Sequence, residues 1–346
     1  MTSSSMRETE IRPDRLRAEQ LKRFKSDIAR LIARRKKFVT VPCPACGESQ
    51  SSVALKKYGF TYRVCRGCET MYTSPRPSPA VLRWYYETST NYQYWNTHVF
   101  PASEEARRAK IFRPRAERLA EICRSLGVPT RVLLEVGAGF GTFCEEVGKL
   151  GVFHRVIAVE PTPPLADTCR RKGLEVIEQP IEDVRFAPGT IDVVAAFEVI
   201  EHLFAPRQFI EACAAVLSPG GLLVLSCPNV KGFDVATLGK HSDTIDVEHL
   251  NYFHPASLSE LVAGCGFEIV QILTPGQLDA ELVRKKILAG EWDVTAHPLL
   301  KQILVDEWDR LGGAFQDFLA AHCLSSHMWL VGRKRESRRA RAKGLK

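Results

Sequence analysis

Apolar residues fall along this chain in short, bounded patterns that predict its elements. Between Asp14 and Phe38, residues Leu16, Leu21, Phe24, Ile28, Leu31 and Ile32 recur at roughly helical spacing, with basic residues on the other sides. That is the pattern of an amphipathic helix laying one stripe on the body or on a partner subunit. Further on the pattern changes. Arg131-Val132-Leu133-Leu134 reads as a buried strand, Thr142 to Leu150 as a helix, and Val156-Ile157-Ala158-Val159 as a second strand. Two more short apolar runs follow turn sequences, one after Gly189-Thr190 and one after Pro219-Gly220-Gly221. Tyr72 to Pro79 is a proline-punctuated linker, and a stretch rich in aromatic residues (Trp84, Tyr85, Tyr86, Tyr92, Tyr94, Trp95) comes after it. No apolar run approaches the roughly 20 residues of a membrane span.

The most informative chemistry lies between the first two strands. Glu135-Val136-Gly137-Ala138-Gly139-Phe140-Gly141 is a glycine loop led by an acid, and Glu160 closes the next strand nineteen positions after Gly141. Glycines let backbone turn tightly against a ligand, and an acid at that strand tip can accept hydrogen bonds from a ribose diol. The spacing G-x-G-x-G, with an acid two residues before the first glycine, resembles motif I of the class I S-adenosylmethionine (SAM)-dependent methyltransferases. In that family the acid helps to hold the ammonium of the SAM amino-acid tail, the role implied for Glu135. Three later tracts carry the same resemblance. Residues 189–203, with Phe197-Glu198 and Glu201-His202, look like the fourth-strand signature, and residues 217–229 look like the fifth strand. The tract Asp246-Val247-Glu248-His249-Leu250-Asn251-Tyr252-Phe253-His254-Pro255 is similar to tracts that close bacterial methyltransferases acting on sugars and secondary metabolites. The resemblance covers about residues 110–275. It implies an α/β, doubly wound Rossmann-like sheet and SAM as cofactor, held by Glu135, Gly137, Gly139, Gly141, Glu160, Phe197 and Glu198. The usual acid of the third-strand loop is replaced by Pro180, so the adenine is assigned to the Ile181 amide with Glu182 or Asp183 as substitute acceptor.

Cys43-Pro44-Ala45-Cys46 and Cys65-Arg66-Gly67-Cys68 are two C-x2-C pairs with eighteen residues between them. That spacing is expected of a four-cysteine zinc ribbon, and four thiolates leave no open coordination position, so the zinc is expected to be structural. The other seven cysteines stand singly among apolar residues and read as small buried hydrophobes. With a polar stretch from Met1 to Glu10 and no disulfide pattern, a reducing cytoplasm is expected.

The formal charge of +8 resides at the ends. Residues 1–37 carry twelve bases and five acids, residues 333–346 eight bases and one acid, and the body between them is therefore about −6. A body of that sign argues against a nucleic-acid substrate. The expected organisation is a basic helix (1–38), a zinc ribbon (39–75), an aromatic linker or lid (76–110), the SAM-binding domain (111–275), a helical extension (276–332) and a disordered basic tail (333–346). A homo-oligomer is left open.

Methyl transfer to a hydroxyl or carbon acid needs a general base. The resemblance selects His249, with Glu248 as orienter or second base, Tyr252 as a polar contact and His202 as runner-up. The expected acceptor is a sugar, nucleotide-linked or within a glycan. A ribbon-bearing RNA base methyltransferase is the alternative favoured by the basic ends. Against it, Phe197-Glu198-Val199-Ile200 is not a motif that holds an exocyclic amine. A non-enzymatic SAM-fold scaffold is the third reading, opposed by the intact glycine loop, Glu160 and the Glu-His pairs.

Overall fold

Seven of the apolar runs pair into one sheet in the computed structural model, which describes residues 6–187 and 189–336. Its strands are β1 (Val132–Val136), β2 (Arg155–Val159), β3 (Glu175–Ile177), β4 (Ile191–Phe197), β5 (Leu217–Pro228), β6 (Phe267–Leu273) and β7 (His327–Lys334). They lie in the order β6-β7-β5-β4-β1-β2-β3. The pairs β1–β2, β2–β3, β1–β4 and β4–β5 are parallel. Leu133, Leu134, Val193, Val194, Leu223 and Val224 are fully buried, which is why these strands read as continuous apolar runs instead of alternating ones. Asp192, buried at the start of β4, ties that strand to β1: it accepts the Arg131 and Val132 amides at 2.8 and 3.2 Å and an Arg131 guanidinium N–H at 2.6 Å. The chain enters the sheet at β1, builds outwards to β3 and returns on the other side at β4. This reversal makes the carboxyl ends of β1 and β4 the place where such sheets bind ligands.

The chain divides into two compact units. The sheet belongs almost wholly to the second, which comprises residues 108–227, 258–272 and 329–346. The expected domain end at residue 275 leaves out β7. Its apolar run Trp329-Leu330-Val331 is short and bordered by charge, so it hides in the sequence, yet all three residues are buried. Arg333 and Lys334, assigned above to the tail, are the last residues of β7, and Lys334 Nζ donates to the carbonyls of Ala214 and Leu217 at 2.5 and 2.6 Å. The rest of the tail from residue 337 lies outside the described residues.

The first unit comprises residues 1–107, 228–257 and 273–328, so the tract around His249, expected in the SAM-binding domain, groups with the ribbon. Ser51–Lys57, Phe60–Cys65 and Met71–Thr73 form an antiparallel sheet whose fourth strand is Asn251–Tyr252, paired with Met71 and Tyr72. The Asp14–Ile32 helix packs within this unit, with Leu31 buried and Phe24, Ile28 and Ile32 against the core of Phe60, Tyr62, Tyr85 and Tyr252. Two positions depart from the expected stripe: Leu21 is exposed, and Asp27 is buried. Residues 76–110 are mostly helical, and their aromatic rings carry arginines. Arg34 lies 3.4 Å over Trp84, Arg23 5.0 Å over Tyr94 and Arg107 5.1 Å over Trp95. Such contacts pack the segment and stabilise by about 0.5–1 kcal/mol each where exposed. Residues 276–326 add the helices Asp279–Leu288 and Trp308–Ala321 around Val283 and Leu304. Cys323, expected to be buried, is exposed beyond the end of the second of these, with φ of 59°. Among the described residues, no helix is long and apolar enough to cross a membrane.

Candidate functional site

The first cluster of functional side chains sits at the carboxyl ends of β1, β2 and β4. Gly137 and Gly141 have φ of 74° and 69°. A Cβ on Gly137 would lie 2.5 Å from Val199 Cγ2, and one on Gly141 2.4 Å from Leu174 Cδ1, so both conformation and space demand glycine. Glu160 stabilises the loop from the tip of β2: Oε2 accepts the Gly139 amide at 2.7 Å and Oε1 the Thr162 amide at 2.8 Å. Burial nevertheless raises its pKa above the ordinary carboxylate range. Glu135 is buried in β1 and accepts a hydrogen bond from the Cys144 thiol at 3.0 Å. Burial pushes its pKa up to about 8, against the lowering influence of Cys144 and Arg115, and the nearby Glu160 adds to the rise.

Just past β4, Glu198 adopts a left-handed backbone (φ 57°), a conformation that costs a non-glycine residue roughly 1 kcal/mol or more. It is held by its amide to the Ser226 carbonyl at 3.0 Å and by the Ser226 hydroxyl, which donates to Oε1 at 2.5 Å. Arg115 completes the cluster, its guanidinium 4.8 Å over the Phe197 ring and 3.4 Å from Glu198 Oε1. Burial lowers the pKa of Arg115. The Phe197 ring itself is wedged between Phe143 and Trp329. Ile181 is buried and Glu182 exposed in the turn after β3. Glu201 and His202 lie in the short Ile200–His202 helix, Glu201 buried and His202 Nε2 4.0 Å from its Oε1.

Arg115 escaped the sequence reading because Arg113, Arg115, Arg118 and Arg124 all punctuate the Arg113–Ser125 helix. The usable signal was its place four residues before the buried Leu119, on the face that also buries Ala116 and Cys123.

The second cluster is the four cysteines. Cys43, Cys46, Cys65 and Cys68 present their sulfurs within 4.8 Å of one another, with Cys43–Cys68 and Cys46–Cys65 each at 3.5 Å. Each pair is a tight turn closed by an amide onto its first cysteine carbonyl, Gly47 N to Cys43 O at 2.9 Å and Glu69 N to Cys65 O at 3.1 Å. The two residues after the second cysteines are left-handed, Gly47 at φ 81° and Glu69 at 58°. The second turn thus puts its strained position on Glu69, not Gly67. His254 anchors the second turn by donating from Nε2 to the Cys68 carbonyl at 2.8 Å.

The third cluster is the loop 244–249. Asp246 Oδ1 accepts the amides of both Glu248 and His249, at 2.9 and 2.8 Å. His249 Nδ1 lies 2.9 Å from the Thr244 carbonyl, which can only accept, so Nδ1 carries the proton and the neutral ring keeps its lone pair on Nε2. Glu248 is half-buried; Oε1 accepts the Tyr85 hydroxyl at 2.7 Å and Asn91 Nδ2 at 3.5 Å. Burial, then the nearby Asp246, pushes its pKa up to about 7. Tyr252 is not available as the expected polar contact. It is 1% exposed, and its hydroxyl exchanges hydrogen bonds with the Asp246 backbone at 3.1 Å. The side chain is committed to shaping the loop.

Residues 103–272 match the family model of a methyltransferase domain. The chain is similar to a ubiquinone biosynthesis O-methyltransferase of Xanthomonas campestris, 34% identical over 119 residues that cover 32% of this chain and 49% of that protein. A "Probable S-adenosylmethionine-dependent methyltransferase" of Mycolicibacterium smegmatis is 26% identical over 218 residues, 58% of this chain and 80% of that protein. The chain spans about half the length of the first of these relatives. Among solved structures, the SAM-bound amino pentose methyltransferase of Micromonospora echinaspora matches with a TM-score of 0.33 and 26% identity, over 37% of this chain and 55% of that one.

Proposed function

With residues 103–272 forming a methyltransferase domain, we propose that this chain transfers a methyl group from SAM to a hydroxyl or carbon of a small polar acceptor, a sugar in nucleotide-linked or glycan form. The observation that carries the cofactor half is the charge pattern around the glycine loop. The amino-acid tail of SAM is a zwitterion and needs an acid and a cation. Glu135 is assigned the ammonium and Arg115 the carboxylate, a reading supported by the electrostatic influence each has on the other. Glu160 is assigned the ribose diol, Ile181 and Glu182 the adenine, and Phe197 and Glu198 the wall beside the methyl. SAM, when bound, supplies an electrophilic methyl on sulfonium. The chain's own contribution is to hold the acceptor in line, exclude water and remove a proton. His249 is assigned as base through Nε2, with Glu248 beside it in sequence as second base or orienter and His202 as runner-up. The four cysteines are assigned one structural zinc. Tetrahedral thiolates at about 2.3 Å from zinc place their sulfurs about 3.8 Å apart, close to the spacing of this cluster.

The reading is tested with methyl-labelled SAM offered separately to a nucleotide-sugar and small-metabolite pool and to total RNA. Label in the small-molecule pool is the expected result. Label in RNA alone would turn the basic ends into substrate-binding arms and replace the acceptor assignment.

Two further outcomes are expected. Glu160→Ala should raise the SAM Kd by roughly 100- to 10,000-fold, since two hydrogen bonds to a charged acceptor are each worth roughly 1.5–3 kcal/mol. An unchanged Kd in a calorimetric titration would remove the ribose assignment. Glu135, with its pKa near 8, is mostly protonated at pH 7, whereas an ammonium beside it favours the carboxylate. SAM binding should therefore release up to one proton at pH 7, and affinity should rise with pH towards 8. Titrations in buffers of different ionisation enthalpy measure this proton; its persistence in Glu135→Gln would assign it elsewhere.

A further inference from the structure

Asn91 lies near the start of the short Thr90–Tyr94 helix, among the buried polar residues of the first unit. Its amide donates to Asp27 Oδ2 at 2.8 Å, and the residue is only 8% exposed. Nδ2 donates to Glu248 Oε1 at 3.5 Å, while Oδ1 is buried with no hydrogen-bond partner. A buried acceptor left unsatisfied costs about 1–3 kcal/mol, whereas leucine would occupy nearly the same volume without that cost. Packing alone therefore gives no reason for an amide at this position.

The neighbouring groups say what the amide would bind. The Tyr85 hydroxyl spends its one proton on Glu248 Oε1 at 2.7 Å, so what it offers a ligand is oxygen lone pairs. Asn91 Oδ1 can only accept. Asp27 fixes the backbone that carries Asn91, because its buried carboxylate also takes the Ser89 hydroxyl at 2.8 Å, the Thr90 hydroxyl at 3.2 Å and Arg30 at 2.9 Å. The cluster is thus rich in acceptors and pre-organised before any ligand arrives.

We propose that Asn91 Oδ1, with Tyr85 and Glu248, forms a subsite that binds a hydroxyl group of the acceptor molecule, making Asn91 a specificity-determining residue. This rests on the methyl-transfer reading above and deepens it: the ligand class is a neutral polyol, bound through O–H donors. A neutral donor suits the subsite better than a cation, because Glu248, raised to about 7, is only partly ionised at neutral pH.

The test compares wild type with Asn91→Leu, using serial dilutions of the nucleotide-sugar and metabolite pool as the probe and methyl-labelled SAM as donor. The expected result is a half-saturating pool concentration raised about ten- to a hundredfold, with SAM Kd unchanged and Tm unchanged or higher. Coincident saturation curves would overturn the subsite. So would a lower maximal rate at unchanged half-saturation, which would make Asn91 a prop for Glu248. A Tm lowered by several degrees would show that the amide serves the fold, and would also overturn it. A wild-type protein that transfers no label rejects the reading of the previous subsection and the acceptor subsite with it; label in wild type with coincident saturation curves rejects the subsite alone.

Discussion

Cys68→Ser should cost the protein its zinc and melt much of the first unit, the largest stability change expected from any single substitution here. The wild type is expected to carry one zinc per chain by elemental analysis, and the mutant close to none. A structural zinc supplies about 10–16 kcal/mol in isolated ribbon and finger peptides. The loss here should be smaller, because the ribbon also shares a core with the Asp14–Ile32 helix through Phe60, Tyr62 and Leu31. Several kcal/mol still correspond to roughly 10 °C or more in Tm for a unit of this size. The damage should spread along one identifiable route. Cys68 offers its carbonyl to His254, and His254 ends the tract whose Asn251–Tyr252 strand pairs with Met71 and Tyr72. Tyr252 in turn holds the Asp246 backbone, whose side chain positions Glu248 and His249. Cys213→Ser, a buried thiol far from any other cysteine pair in sequence, is the control and should retain the metal. Wild-type protein without zinc, melting as before after chelator treatment, would leave the four thiols as ordinary core residues.

How much of this was legible in the sequence depended on the range over which each signal acts. The glycine loop, Glu160 and the two C-x2-C pairs are local patterns: turn geometry and ligand spacing are set by residues a few positions apart. Features set by long-range pairing were not legible. Asn251 and Tyr252 join the ribbon sheet nearly 180 residues after their partners, and nothing in their own composition says so. The strand β7 was obscured by the basic residues that end it, and Lys334 is spent on two carbonyls instead of on solvent. Buried polar residues were missed for the opposite reason. Asp27, Asn91 and Arg115 look like ordinary surface residues of polar segments, and only the fold buries the first two and half-buries the third. The aromatic stretch shows the same limit. Its six rings look alike in the sequence, but Arg34, Arg23 and Arg107 stack on Trp84, Tyr94 and Trp95, while the Tyr85 hydroxyl donates to Glu248.

His249→Ala should slow methyl transfer by roughly two to four orders of magnitude, the usual contribution of a general base, while leaving SAM affinity unchanged. The case for His249 is one of orientation. Donation from Nδ1 to the Thr244 carbonyl fixes the tautomer with the basic lone pair on Nε2. Thr244 is itself steadied, its hydroxyl donating to the buried Asp234 at 2.9 Å alongside that of Ser242 at 2.8 Å. The Tyr252 ring meets the imidazole edge to face at 5.9 Å between centroids, and Asp246 Oδ2 lies 3.8 Å from Nδ1. A ring held on three sides loses little entropy when it acts. Added imidazole should restore part of the rate to His249→Ala if a proton acceptor is what was lost; a collapsed loop would not be rescued. A mutant working at close to the wild-type rate would pass the base role to Glu248. That carboxylate is raised to about 7, so near neutral pH it holds a proton about half the time and is a stronger base than an ordinary glutamate. Glu248→Gln in the same assay separates the two residues: a large loss of rate there, with His249→Ala nearly silent, would make the glutamate the base.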